Sequence, residues 1–318
     1  MITKDSFSIL ISKFSLVYQL ILAILIALLI FGIIGYAILA PTLSSYMSDL
    51  KDLEIGKTVK DYLTSIFGGS ETEDGIEHGM TVEYQNLVNS MKQIGEVTKS
   101  HLGAIWGGII AIVILLFLFT VYFYMCMYTV TDTLHTFMSS DSEYGFTSNF
   151  IANVGKSLKF SLAYVGMYIL WIIIIFGLCV GLGFLVGAWN NFFGLVVAYF
   201  TAILALAIRR SLFAGWMPAY VVSDMTVNES LVANFKMASK TFKDTLGVYF
   251  VIYLASLLLS LSVGVLTLGF GLFIVVGVTN VLSQAYDMVT YYHYCGKKYY
   301  RDSQHVVDPK QKYKDAVR

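Results

Sequence analysis

Residues 160–208 read FSLAYVGMYILWIIIIFGLCVGLGFLVGAWNNFFGLVVAYFTAILALAI, 49 consecutive residues without a charge. A helix that crosses a bilayer needs about 20 apolar residues, so this stretch holds two. In hydrocarbon each backbone N–H and C=O must be satisfied within its own segment. The stretch therefore predicts a tight helical hairpin, with Trp189-Asn190-Asn191 as its turn.

Three more charge-free windows lie outward from it: Phe14 to Ser48, Leu102 to Thr131 and Thr245 to Tyr286. The first two have room for one span each. The third has room for two, with Gly264 to Gly271 as the turn. Six spans are predicted, at about 16–40, 103–130, 160–187, 192–212, 246–264 and 271–293. The first is read as a retained helix, because its apolar run exceeds the roughly 7–15 residues of a signal-peptide core.

Composition agrees. Of 318 residues, 57% are hydrophobic and 13% are charged, and mean hydropathy is +0.70. A soluble domain carries roughly 25% charge, so a soluble enzyme, a disordered chain and a nucleic-acid binder are excluded. Lys and Arg balance Asp and Glu at 21 each, so net charge names no partner. Cys126, Cys179 and Cys295 are widely spaced, with no disulfide or metal pattern.

Basic residues orient the spans, because cytoplasmic loops are enriched in Lys and Arg. With the N-terminus inside, 16 of the 21 basic residues are cytoplasmic, and only Lys51, Lys57, Lys60, Lys92 and Lys99 are outside. The expected fold is all-α: a polytopic membrane bundle of six transmembrane helices with both termini cytoplasmic. It is one membrane domain over residues 1–318. An extracytoplasmic two-helix hairpin occupies 42–101 between helices one and two, and a basic tail occupies 296–318.

In the outer segment Tyr46, Leu50, Leu53, Val59, Leu63 and Phe67 recur at helical spacing. Met80, Tyr84, Leu87, Met91 and Ile94 form a heptad-like seam. Gly68 to Gly75 is a flexible acidic tip. Two antiparallel helices are predicted, either a partner-binding stalk or a self-packed cap. Two inner linkers, 146–158 and 230–243, are amphipathic and are expected to lie along the cytoplasmic interface, bending into their spans at Lys159 and Lys243. Lys13-Phe14-Ser15-Leu16, Lys159-Phe160-Ser161-Leu162 and Lys243-Asp244-Thr245-Leu246 open the odd-numbered spans alike. Such openings arise from a repeated hairpin unit or from convergent residue choice at an inner boundary.

From Arg209 to Tyr300 an Arg-rich fourth-span end leads into Pro218-Ala219-Tyr220 and an amphipathic Lys/Ser helix. A Gly-rich turn and a Tyr-rich sixth-span end follow. This half resembles six-helix bacterial membrane families without assigned function, including the membrane domain that accompanies some glycerophosphodiester phosphodiesterases. The resemblance implies a multi-pass protein of the bacterial cytoplasmic membrane. No catalytic phosphodiesterase domain is present, so it implies no activity, and the outer segment departs from the pattern.

Several motifs carry nothing. Gly155-Lys156-Ser157 ends like a phosphate-binding loop, but Phe150 stands where the motif requires glycine. Asp132 and His135 are too few for a metal site. Asn228-Glu229-Ser230 fits a glycosylation pattern but falls on the cytoplasmic side. Gly177, Gly181, Gly183 and Gly187 fit close helix packing.

The sixth span is the most polar. Asn280, Gln284 and Asp287 share one face at i, i+4 and i+7. An acid inside a span is a functional hypothesis by default. Asp287 and the Arg209–Arg210 pair fall at similar depth, so the face predicts a polar lock between spans four and six, or an ion site. The leading expectation is a non-catalytic scaffold or accessory subunit without cofactor or metal. Its partners are the lipid bilayer and a protein at the outer hairpin or the basic tail. The alternative is a small-solute or ion transporter using the sixth span's polar face.

Overall fold

The computed structural model describes residues 2–53, 55–67, 73–140, 145–302 and 305–309. Residues 68–72 of the expected acidic tip, and the tail from 310 onward, lie outside the described residues. Within them the helices are α1 (Ile2–Ser12), α2 (Ser15–Asp52), α3 (Ile55–Phe67), α4 (Glu73–Ser100), α5 (Leu102–Ser140), α6 (Phe146–Ala152), α7 (Val154–Gly187), α8 (Asn191–Phe213), α9 (Trp216–Val222), α10 (Val227–Leu266) and α11 (Gly271–Cys295). Two short antiparallel strands follow, β1 (Tyr299–Asp302) and β2 (His305–Val307). Among the described residues six helical stretches are long and apolar enough to cross a membrane. The fold is therefore α-helical, with a small strand pair where a plain basic tail was expected.

The chain divides into two compact units, residues 1–26 with 120–318, and residues 27–119. In the first unit the core is concentrated toward one end of the helices. Buried residues cluster at 121–138 on α5, 157–165 on α7, 203–219 on α8 and α9, and 275–294 on α11. Large apolar side chains at the other end are bare, among them Ile173 at 63%, Phe184 at 77% and Val265 at 78% exposure. Exposed apolar surface of that extent suits hydrocarbon, not water.

Local chemistry sets the turns. Asn190 caps α8, its side-chain oxygen accepting from the N–H groups of Phe192 and Phe193 at 2.9 and 3.3 Å, which closes the α7–α8 hairpin at the predicted turn. Gly194 sits so close to Gly183 and Gly187 that an added Cβ would lie 2.7 Å from the Gly187 Cα. A methyl on Gly177 or Gly181 would meet nothing within 4 Å, so packing does not account for those two glycines. The α10–α11 turn reverses through Leu268 (φ 51°) and Gly269 (φ 93°). Gly296, at φ 65°, ends α11 with the Lys297 N–H donating back to the Tyr292 carbonyl.

The inner linkers differ from expectation. α10 is continuous from 227 to 266, with no break at Lys243. Its buried stripe of Ser230, Asn234, Met237, Thr241, Thr245 and Tyr249 runs straight through that point, while Lys236, Lys240 and Lys243 stay on the exposed side. A capping box starts the helix, Thr226 accepting from the Glu229 N–H and Glu229 accepting from the Thr226 N–H. In the other linker the break falls at Asn153 and not at Lys159. There the Asn153 amide donates to Asp132 at 3.0 Å and to the Asn149 carbonyl at 3.2 Å, giving the chain a reason to interrupt the helix.

α1 was not anticipated. Its buried face is Asp5, Ser6, Ile9 and Leu10. The Tyr299 hydroxyl donates to Asp5 at 2.9 Å, and the Arg301 guanidinium lies 3.9 Å from the same carboxylate. Burial and the adjacent Asp5 push the Tyr299 phenol above its usual range, keeping it a donor. The first helix and the C-terminal strands thus meet at one end of this unit.

In the second unit, the Phe31 and Phe119 rings lie 5.9 Å apart. Tyr46 and Thr98 share a 3.1 Å hydrogen bond, and His101 lies 2.7 Å from Asp49. These pairs run antiparallel along α2, α4 and α5. α3 packs on α4. Of the expected seam, Tyr84 is 55% and Met91 is 66% exposed, whereas Leu87 and Ile94 are half-buried; the Met80 side chain lies outside the described residues. One neighbouring helix covers only a narrow line along α4.

Candidate functional site

The end of α8 brings Arg209 and Arg210 into the core as consecutive residues, about 100° apart around the helix axis. They consequently face different neighbours. Arg210 donates through Nη2 to Asp287 Oδ2 on α11. Tyr249 on α10 donates its hydroxyl to the other carboxylate oxygen, Oδ1. Arg210 is 8%, Asp287 2% and Tyr249 0% exposed. One carboxylate thereby ties three helices together at a single buried point.

Each buried ion forfeits several kcal/mol of hydration, about what its partner returns, whereas removing one partner costs about 3–5 kcal/mol. With two donors on its two oxygens, Asp287 is well satisfied. The ring of Tyr286 on α11 lies 5.3 Å from that of Tyr249 on α10, edge to face.

Arg209 is arranged differently. Its guanidinium carbon lies 4.4 Å over the Tyr168 ring, with Tyr124, Tyr164 and Tyr253 around it. Among the described residues no carboxylate pairs with it, and its Nε has no hydrogen-bond partner. A desolvated cation–π contact returns about 2 kcal/mol. The aromatic box extends through Phe160, Phe213 and Trp216, whose indole N–H donates to the Val227 carbonyl at 3.1 Å and moors α9 to α10.

The rest of the polar face is already engaged. The Thr131 hydroxyl donates to the Gln284 amide oxygen at 3.0 Å, tying α5 to α11. Asn280, expected to share this work, donates instead to the Val276 carbonyl of its own helix at 2.9 Å. Asn234 was missed: fully buried, it accepts from the Gly215 N–H at 2.9 Å and donates to the Leu212 carbonyl at 2.8 Å, satisfying the break between α8 and α9. Its signal in the sequence was an amide within an otherwise buried helical stripe. Tyr249 was missed because tyrosine is ordinary at a membrane boundary.

Two large cavities, of 470 and 730 Å³, are lined almost wholly by apolar groups, and neither includes Asp287, Arg210, Gln284 or Asn280. Among the described residues no group of three His, Cys, Asp or Glu side chains is placed to hold a metal ion. Asp132 instead accepts from Asn153, and His135 Nδ1 lies 2.7 Å from the Tyr292 hydroxyl. No family model, curated protein or solved structure matches the chain.

Proposed function

We propose that this chain is a non-catalytic membrane scaffold or accessory subunit. The observation that carries the reading is the state of Asp287. The one acid deep in the polar face of α11 is bound on both oxygens by Arg210 and Tyr249, so it is engaged in joining helices and not free to bind a travelling ion. Gln284 is likewise used against Thr131. A partner surface is available elsewhere. α2 and α5 have 38 and 39 residues, about 55–60 Å each at ~1.5 Å per residue. That is nearly twice a hydrocarbon core of ~30 Å, so part of each helix lies outside the hydrocarbon. In the unit of residues 27–119, Val59, Leu63, Tyr84 and Met91 are exposed apolar side chains.

In this reading both termini are cytoplasmic and the segment near 42–101 is outside, as the 16-to-5 split of basic residues favours. The resemblance of residues 209–300 to bacterial six-helix families supports a cytoplasmic-membrane location. Thiol labelling of intact cells checks the orientation with Glu73→Cys and Lys310→Cys, of which only the first is expected to react from outside. Function is tested with Asp287→Asn. A variant that melts lower, with no change in solute flux across vesicles, fits a lock. Unchanged melting with abolished flux would make the protein a transporter.

A further inference from the structure

Among the described residues four charged side chains are buried: Asp5, Arg209, Arg210 and Asp287. Asp287 takes Arg210, and Asp5 takes Tyr299 and Arg301. Arg209 is left with a whole positive charge at 7% exposure. The groups around it are phenols. Tyr168 lies under the guanidinium, Tyr124 hydrogen-bonds to it, and Tyr164 and Tyr253 stand beside it. The Tyr124 ring is 4.6 Å from that of Tyr164 and 5.8 Å from that of Tyr168, so these phenols form one cluster. A phenol is neutral at pH 7. It can bond to a cation but does not cancel its charge. The cation–π contact returns about 2 kcal/mol, whereas burying the ion costs several. The difference calls for a negative charge that the chain does not supply.

Arg209 also lines a small cavity between α7, α8 and α9. Its other walls are the rings of Tyr164, Tyr168, Trp171, Phe213 and Trp216, with Met167. Its volume is about 10 Å³, room for one water-sized particle. A buried water makes two to four hydrogen bonds, and these walls are poor in them: Arg209 Nε is an unpartnered donor, but the Trp216 N–H is spent on the Val227 carbonyl. A monatomic anion is satisfied by one charge-assisted N–H bond, about twice as strong as a neutral one. Sulfate, phosphate and carboxylates are too large. Met167, unbranched and adaptable, yields the extra space that a halide takes over water.

We propose that this cavity holds one halide ion, chloride under ordinary conditions, bound to the Arg209 Nε–H as a fixed counter-ion. The ion does for Arg209 what the Asp287 carboxylate does for Arg210, and it leaves the buried charges of the bundle balanced.

The test uses the full-length chain, purified without lipid in an uncharged detergent and unfolded by urea. Sodium chloride is exchanged for sodium gluconate at constant ionic strength, gluconate being too large for the cavity. A ligand held only by the folded state shifts the unfolding equilibrium by one plus its concentration over Kd. Above Kd, each tenfold rise in chloride is therefore expected to lower the unfolded-to-folded ratio about tenfold. Arg209→Gln removes the charge and is expected to lose that dependence. If that variant does not fold, the cavity with Arg209 intact reports through its own tryptophans. Of the four in the chain, Trp106 and Trp189 are exposed; Trp106→Phe/Trp189→Phe leaves Trp171 and Trp216 at the cavity. Bromide quenches indole on contact, so quenching is expected to saturate and to be reversed by chloride. An unfolding midpoint indifferent to chloride, a folded Arg209→Gln that keeps the dependence, quenching that stays linear in bromide, or stabilisation by added phosphatidylglycerol and not by chloride would overturn the assignment.

Discussion

Replacing Asp287 by alanine strands Arg210, which is 8% exposed and has no other carboxylate partner among the described residues. It also leaves the buried Tyr249 hydroxyl without its acceptor. Breaking one side of a buried pair costs about 3–5 kcal/mol. Arg210→Met strands the carboxylate instead and belongs in the same range. If the two effects were independent, the double variant Arg210→Met/Asp287→Leu would lose about 6–10 kcal/mol. A lock predicts the opposite. With both charges gone, neither pays its desolvation cost, and the double variant should be more stable than either single one. The assay is reversible denaturant unfolding in micelles of one composition. It can be followed by tryptophan fluorescence, to which Trp216 in the same core contributes. Asp287→Ala unfolding at the wild-type midpoint, or a double variant equal to the sum of the singles, would refute the reasoning.

Three further outcomes follow from particular contacts. Gly194→Ala should destabilise the α7–α8 hairpin by more than 1 kcal/mol, about the cost of overpacking, because the new methyl meets backbone; Gly181→Ala should be neutral or stabilising in the same melting assay. Asn234→Ala should cost about 1–3 kcal/mol, since it leaves the Gly215 N–H and Leu212 carbonyl buried and unpaired; Asn234→Asp should recover only the bond from Gly215. Tyr299→Phe should raise amide hydrogen exchange across residues 2–12 while leaving α7 and α8 unchanged, because the lost bond is the shorter of the two contacts on Asp5.

The long apolar windows made the six spans legible, since an unbroken apolar run of about 20 or more residues in hydrocarbon satisfies its backbone as helix, whereas barrel strands are short and alternate apolar with polar residues. Turns with their own capping chemistry were legible for the same local reason, as at Asn190. What the sequence concealed depends on partners distant along the chain. α1 carries Lys4 and Asp5 and looks like a polar leader, yet Asp5 is buried by Tyr299, 294 residues away. The continuity of α10 was hidden by Lys236, Lys240 and Lys243, which were read as a boundary and prove to be one exposed face of an unbroken helix. Arg209 and Arg210 are chemically identical neighbours, and only the placement of α11 and of the tyrosines decides which one meets the carboxylate. The same holds for the seam of α4: periodicity shows that a stripe exists, not how much of it a neighbouring helix covers.

The most direct measurement of the central claim is photo-crosslinking in the native membrane, with a benzophenone side chain placed at Tyr84 or Met91 and, as a control, at the lipid-exposed Phe184. For an accessory subunit that binds through 42–101, the first two positions should capture the same discrete protein, in stoichiometric yield and at matching sites, and the control should not. Crosslinks to lipid and solvent alone at all three positions, from protein that extracts as a single species, would contradict the account.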